Sequence, residues 1–172
     1  MIAFPLFFFL LVMHSELFEL IFDNKYNASI PVFLVYLLLI PVRINHYGVL
    51  LQSYGQSKKI AFGSLMDILV SLLLMYLLYP LAGTIGIALA IVISTYLQAG
   101  YYLWESARMM QLSIAELVPV KYILKWLLAL ALPYGMLYIL KDQLSSALSL
   151  SAVFAITLVI IICRLVLYWK ER

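Results

Sequence analysis

The chain has 172 residues, of which 66% are hydrophobic and only 11% are charged. A water-soluble domain of this size needs a larger polar surface, so the composition excludes a soluble globular fold. The net charge of +3 comes with no basic run longer than Lys58-Lys59, which excludes a nucleic-acid-binding surface. We therefore expect a membrane protein whose main partner is the lipid bilayer.

Six apolar stretches of about 20 residues follow one another with short polar turns between them. Backbone polar groups in lipid must be satisfied within the protein, and the runs are too long and too uniformly apolar for barrel strands. We predict an all-α fold, a polytopic helical bundle forming a single membrane domain over residues 1–172. The expected spans are residues 2–22, 31–51, 60–79, 84–105, 121–140 and 148–169, with a short interfacial helix within 109–120.

Basic residues in the short loops set the orientation of such a bundle. With six spans, most of the basic residues share one side of the membrane with both termini, and only Lys25 and Lys141 lie on the other. We predict that both termini are cytoplasmic. The residues on the cytoplasmic side are Lys58, Lys59, Arg108, Lys121, Lys125, Arg164, Lys170 and Arg172.

The second span contains the best candidates for a transport pathway. Tyr36, Arg43 and Tyr47 recur at helical spacing with His46 beside them, and Pro41 introduces a kink. A guanidinium with neighbouring imidazole and phenol groups suits an anionic or sugar-bearing ligand, because Arg binds phosphate in a bidentate manner.

Asp67 in the third span is the natural partner of these basic groups. Counted from the turn between the second and third spans, Arg43 and Asp67 lie at similar depth, roughly 10–12 Å into the apolar core. Two interpretations follow: a structural contact of Asp67 with Arg43 or His46, or a direct role of these residues in binding a ligand or ion. Glu16 and Glu19, near the outer end of the first span, are either solvated or a proton or cation site.

The fourth span has small and polar residues at a spacing of four. Small residues let two helix backbones approach closely in lipid, where association depends on packing. We predict a helix-packing face on which Gly86, Ala90, Ser94, Gln98 and Tyr102 are spaced by four, preceded by Gly83. The sequence contains no enzyme signature and no metal-ligand cluster, so we expect no enzymatic activity, no metal and no cofactor.

Three strings resemble those of polysaccharide and O-antigen flippases. ELIFDNKY at residues 19–26 is similar to their L-x-x-L-F-G-x-x-Y ending, although Asp23 stands where the family often has glycine. LLQSYGQSK at residues 50–58 resembles their L-x-A-x-G-K-x-K turn, and GTIGIALA at residues 83–90 resembles their G-x-x-G-x-A-x-A helix start. The order and spacing of the three strings across residues 1–107 also fit.

This family belongs to the multidrug, oligosaccharidyl-lipid and polysaccharide exporter superfamily. The resemblance implies a chain that corresponds to the last six of about fourteen spans, in the bacterial inner membrane. It implies transport of an undecaprenyl-diphosphate-linked oligosaccharide, with the missing N-terminal spans or another copy of the chain as partner. The basic and aromatic pathway of the family would fall on Arg43, His46, Tyr47 and Tyr36.

Two alternatives stay open. A cation-coupled multidrug exporter of the same superfamily would depend on an acidic residue, Asp67 or Glu16, and not on Arg43. A truncated membrane fragment would carry out no transport, because six spans do not obviously enclose a path alone.

Overall fold

The computed structural model describes residues 3–44, 47–118, 120–140, 151 and 153–162. In these residues the chain is helical and forms no strand, which confirms the all-α fold class for this part of the protein. The α-helices are Ala3–Val12, His14–Phe22, Ile30–Leu37, Ile40–Arg43, Gly48–Ser53, Ser57–Met110, Ile114–Leu117, Val120–Leu140 and Val153–Ile162, and a 3₁₀-helix covers Asp23–Ser29.

Two helical stretches, one of them made of consecutive short helices, are long and apolar enough to cross a membrane, and a bent pair of helices makes a possible third. They are Lys25–Arg43, with 19 residues, and Ser57–Met110, with 54, and the bent pair Ala3–Val12 and His14–Phe22 is a third if it counts as one span. Only 6% of the most apolar window of Ser57–Met110 is buried inside the protein. Apolar surface exposed on this scale is stable in lipid and unfavourable in water. Six spans with cytoplasmic termini remain a prediction.

The chain divides into two compact units. The terminal unit comprises Met1–Leu37 and Tyr122–Arg172, and the central unit comprises Leu38–Lys121. The predicted site residues fall mostly in the central unit.

In the terminal unit, the first predicted span is bent by 77° between Ala3–Val12 and His14–Phe22. Met13, at the bend, is fully buried. The ring nitrogen Nδ1 of His14 lies 2.8 Å from the carbonyl oxygen of Leu11, at the end of the first helix. A side chain that bonds a nearby carbonyl offers the backbone an alternative to the regular helical ladder, which favours a break here.

The core of the terminal unit is organised around Tyr134, which is buried. Its ring stacks on Phe8 with 5.6 Å between the centroids, and its hydroxyl lies 2.7 Å from Thr157 Oγ1. The Thr157 hydroxyl also contacts the carbonyl oxygen of Val153 at 2.7 Å. Pro133 lies inside Val120–Leu140 without ending that helix.

The central unit is built on a helical hairpin, residues Ser57–Met110. The helix reverses at Gly83, whose φ of 56° and ψ of −133° are not helical. A positive φ of this kind costs glycine little, because glycine has no Cβ. We call residues 57–82 the first arm and residues 84–110 the second arm. Each arm exceeds the ~20 residues that cross a ~30 Å hydrocarbon core, and the arms contain the predicted spans 60–79 and 84–105.

The two arms pack closely because glycine lies at two contacts between them. A Cβ at Gly63 would overlap the ring of Tyr102, and a Cβ at Gly86 would overlap the carbonyl oxygen of Leu78. Close approach of this kind lets van der Waals contacts hold helices together in an apolar solvent.

The second predicted span, residues 31–51, is interrupted. Ile30–Leu37, Ile40–Arg43 and Gly48–Ser53 are separate helices, with turns at residues 38–39, at Ile44 and at Tyr47. Pro41 lacks a backbone N–H, so a regular ladder cannot run through this segment. The hydroxyl of Tyr96, on the second arm, donates to the carbonyl oxygen of Leu38 at 3.0 Å and so satisfies one carbonyl beside the interruption.

A short helix, Ile114–Leu117, lies within the stretch where the sequence predicts one. The Ser113 backbone N–H donates to Glu116 Oε2 at 2.7 Å, in the manner of a capping box. This hydrogen bond, followed by one from the Ser113 hydroxyl, lowers the pKa of Glu116. The position of the helix at a membrane surface remains a prediction.

Candidate functional site: a polar cavity beside the hairpin

The central unit contains a small polar cavity between the hairpin and the segment before it. Its volume is about 170 Å³. Pockets that hold drug-sized ligands measure roughly 300–1,000 Å³, so this one accommodates a single small group. The lining residues are Val42, Arg43, Tyr47, Asp67, Thr95, Gln98, Ala99 and Tyr102.

Arg43, Tyr47 and Asp67, three of the five predicted pathway residues, therefore border one cavity. The direct Arg43–Asp67 ion pair that the sequence suggests does not form: among the described residues, neither side chain takes part in an ion pair. The alternative contact between His46 and Asp67 lies outside the described residues. Matching the depth of two residues along antiparallel helices places them at one level, but it does not fix the direction of their side chains.

Asp67 has the most unusual environment in the cavity. Its Oδ1 atom is buried and has no hydrogen-bond partner in the described part of the chain. A buried carboxylate oxygen without a donor from the protein is costly, so such a group in a folded protein calls for an explanation. Asp67 is therefore an acceptor without a donor among the described residues. The exposed side chain of Arg43 is the cationic group that lines the same cavity.

Gln98 and Tyr102 fix the second arm against the first at this level. Gln98 Nε2 donates to the carbonyl oxygen of Gly63 at 3.3 Å, and the Tyr102 hydroxyl donates to that of Ile60 at 2.9 Å. The Tyr102 hydroxyl also lies 3.2 Å from Ser64 Oγ. These bonds hold two cavity walls in a defined position, as a binding site requires.

The other two predicted pathway residues are Tyr36 and His46. Tyr36 belongs to the terminal unit, where its side chain is exposed, and His46 lies outside the described residues. The regular stripe predicted along the second span assumes an unbroken helix. The structure divides this span into Ile30–Leu37, Ile40–Arg43 and Gly48–Ser53, and the stripe that joins Tyr36 to Arg43 stays a prediction.

The residues of the predicted packing face have different roles along the hairpin. Gly83 forms the turn, and no atom lies within 4 Å of a Cβ built on it. Gly86 contacts the first arm, Ala90 and Ser94 are buried, and Gln98 bonds to the first arm. The spacing of four thus runs from the turn to the cavity along the second arm.

Sequence reasoning missed Thr95 and Tyr102 as cavity residues, and it missed the ion pair between Lys59 and Glu105. Lys59 Nζ lies 2.5 Å from Glu105 Oε2, and the Glu105 side chain is only 9% exposed. A signal was present, because Lys59 and Glu105 lie at nearly equal distances along the chain from Gly83. Residues so placed meet at the open end of an antiparallel hairpin.

Among the described residues, no cluster of three or more His, Cys, Asp or Glu side chains could hold a metal ion. The polar side chains that line the cavity can instead bind a ligand through charge and hydrogen bonds.

Comparison with protein-family models, with curated proteins and with solved structures found no match to this chain.

Proposed function

We propose that this chain acts in the transport of a lipid-linked oligosaccharide, as the C-terminal part of a polysaccharide or O-antigen flippase. The observation that carries the proposal is the polar cavity that Arg43, Tyr47 and Asp67 line beside a long apolar hairpin. Charged residues at membrane depth are costly and typically mark a substrate or ion pathway. The three sequence strings that resemble those of the flippase family support the same proposal.

The proposal includes an environment and a topology. The protein would lie in the bacterial inner membrane with six spans and both termini in the cytoplasm, as the distribution of lysine and arginine favours. The lipid bilayer and an undecaprenyl-diphosphate-linked oligosaccharide would be its partners, together with further spans or a second copy of the chain.

The cavity is suited to one part of such a cargo. Its volume of about 170 Å³ is well below the roughly 300–1,000 Å³ of pockets that hold drug-sized ligands. It therefore accommodates a phosphate or a single sugar, and not a whole repeat unit. Arg43 would bind the phosphate, because a guanidinium matches phosphate oxygens in charge and geometry.

To test the proposal, Arg43→Ala is introduced into the chromosomal copy of the gene in the bacterium that encodes this protein. Surface polysaccharide is then measured on gels, and immunoblotting checks that the protein level is unchanged. Loss of a charged hydrogen bond of about 1.5–3 kcal/mol predicts at least tenfold weaker binding of the phosphate, and we expect surface polysaccharide to fall clearly below the normal level. Arg108→Ala is the matched control, since Arg108 lies 5.7 Å from the Trp104 ring and does not line the cavity. Polysaccharide at the normal level in the Arg43 variant would contradict the proposal.

One observation favours the second candidate, a cation-coupled multidrug exporter. The buried, unpartnered Oδ1 of Asp67 is a suitable acceptor for a cation or proton. This candidate predicts that Asp67→Asn abolishes drug resistance conferred by the protein while Arg43→Ala leaves it intact. The flippase proposal predicts no drug resistance in either case.

A further inference from the structure

The open end of the hairpin has two basic side chains next to a group of aromatic rings. Phe62 and Tyr101, one on each arm, are in contact, with 5.6 Å between their ring centroids. Lys58 lies about one turn before Phe62 on the first arm. On the second arm, Arg108 Cζ lies 5.7 Å from the centroid of the Trp104 ring. We call Lys58, Phe62, Tyr101, Trp104 and Arg108 the basic–aromatic patch.

The patch occupies one face of the hairpin, and this face is exposed. In two antiparallel helices with about 3.6 residues per turn, the five side chains fall on the same side of the hairpin, and Asp67 and Thr95 of the cavity fall on the opposite side. The side chains of Phe62 and Trp104 are 57% and 50% exposed. Both basic side chains of the patch are exposed as well.

The positive charge of the patch is not neutralised by the described residues. Glu105, on the second arm, is paired with Lys59. Glu116, in the next helix, accepts a hydrogen bond from the backbone N–H of Ser113. Neither basic side chain of the patch takes part in an ion pair within the described part of the chain. The patch is therefore suited to an anionic partner.

The order of the side chains along the arms matches the interface of a bilayer. Each arm is about 40 Å long at ~1.5 Å per residue, so its ends extend beyond a ~30 Å hydrocarbon core. Lys58 and Arg108 lie within two residues of the open end, and Phe62 and Trp104 lie about one turn deeper. Aromatic rings favour the boundary of the hydrocarbon core, while lysine and arginine extend to the headgroups.

Independently of the cargo, we propose that the basic–aromatic patch binds an anionic phospholipid. Its phosphate contacts Lys58 and Arg108, and its acyl chains pack on the rings. A phospholipid supplies an anionic group and apolar chains in the same order as the patch requires them. An anionic headgroup is preferred over a zwitterionic one, because a zwitterionic headgroup brings its own cation next to the two basic side chains.

The experiment measures the lipid preference at Trp104 by fluorescence quenching, with the full chain in vesicles of phosphatidylcholine and phosphatidylglycerol. The chain has three tryptophans, and Trp126→Phe with Trp169→Phe leaves Trp104 as the single one. Each lipid in turn is brominated near the headgroup end of its acyl chains, and the quenching gives the ratio of the two binding constants. Both lipids are measured on the same ring, so a change in the environment of Trp104 cancels in this ratio.

We expect phosphatidylglycerol to bind beside Trp104 about five- to tenfold more tightly than phosphatidylcholine, as the attraction of one or two cations to an anionic headgroup predicts. Lys58→Gln/Arg108→Gln should bring this ratio to about one. Lys25→Gln is the matched control for the charge of the chain and should keep the ratio. Lys25 belongs to the terminal unit, and the sequence predicts it on the opposite side of the membrane.

Equal binding of the two lipids before the basic residues are changed would overturn this inference, as would a preference that survives the double variant. An equal loss of preference in Lys25→Gln, or no quenching of Trp104 by either lipid, would also overturn it. If the phenylalanine substitutions prevent folding, native mass spectrometry of the chain with its natural tryptophans repeats the comparison. It should count less retained phosphatidylglycerol in Lys58→Gln/Arg108→Gln than in the unmodified chain, and equal retention would contradict the proposal.

Discussion

At the scale of single residues, an ion pair joins the two arms at the open end of the hairpin. Lys59 Nζ and Glu105 Oε2 are 2.5 Å apart, and Glu105 is buried. The neighbouring hydroxyl of Tyr102 bonds to the carbonyl oxygen of Ile60 one turn deeper. Removing one partner of a buried pair leaves a charge without compensation, which costs more than the pair itself contributes.

Glu105→Lys should therefore lower the stability of the chain, because it places two positive charges together in a buried position. We expect a loss of about 1–3 kcal/mol, below the range for a fully buried pair because Lys59 is partly exposed. Thermal unfolding in detergent measures it.

The charge-reversed double variant Lys59→Glu/Glu105→Lys should recover most of that loss, and Lys58→Glu, at an exposed neighbouring position, should change little. No recovery in the double variant would show that the pair does not link the arms.

Sequence counting identifies part of the site at this scale. Counting from the turn between them places Arg43 and Asp67 at one depth, and both line the cavity. Counting gives the level of a residue along a helix, whereas the direction of its side chain depends on the rotation of the helix. Depth alone therefore predicts neither the absence of a direct Arg43–Asp67 pair among the described residues nor the place of Thr95 in the cavity lining.

At the scale of elements, the hairpin depends on glycine at the contact between its arms. The side chain of Tyr102 occupies the space next to Gly63, where a Cβ would overlap its ring. The same ring lies within van der Waals distance, 3.7 Å, of a Cβ built on Gly48. Tyr102 thus packs against two glycines while its hydroxyl bonds to the first arm and its ring borders the cavity.

Gly63→Ala should destabilise the hairpin by about 1–3 kcal/mol, the usual cost of an extra group in a filled contact. Gly100→Ala is the matched control, because no atom lies within 4 Å of a Cβ there and alanine favours a helix by about 1 kcal/mol. The two variants should shift the thermal unfolding midpoint in opposite directions. Equal shifts would contradict the close packing at Gly63.

The turn at Gly83 and the small residues after it are recognisable from the sequence, because a glycine between two apolar runs and small residues at a spacing of four are typical of closely packed helices in lipid. The breaks are not recognisable in this way. The bend at Met13 contains no proline or glycine, and it involves a contact between His14 and the carbonyl of Leu11 that composition does not reveal. An apolar run indicates that a helix is surrounded by lipid, but it does not predict where the helix axis bends.

At the scale of the whole molecule, the account depends on lipid as the surrounding medium. The apolar side chains of the arms are largely exposed, with Tyr76 80% and Leu81 81% accessible near the turn. In lipid these surfaces need no further protein to cover them. The same medium stabilises the apolar exterior of the hairpin.

Labelling of introduced cysteines in spheroplasts tests this claim most directly. The chain has a single cysteine, so Cys163→Ser gives a background for Thr84→Cys at the turn and Ser57→Cys at the open end. We predict that a membrane-impermeant maleimide labels Thr84→Cys in intact spheroplasts and labels Ser57→Cys only after the membrane is permeabilised. Labelling of both positions from the same side of the intact membrane would contradict a hairpin that crosses the bilayer.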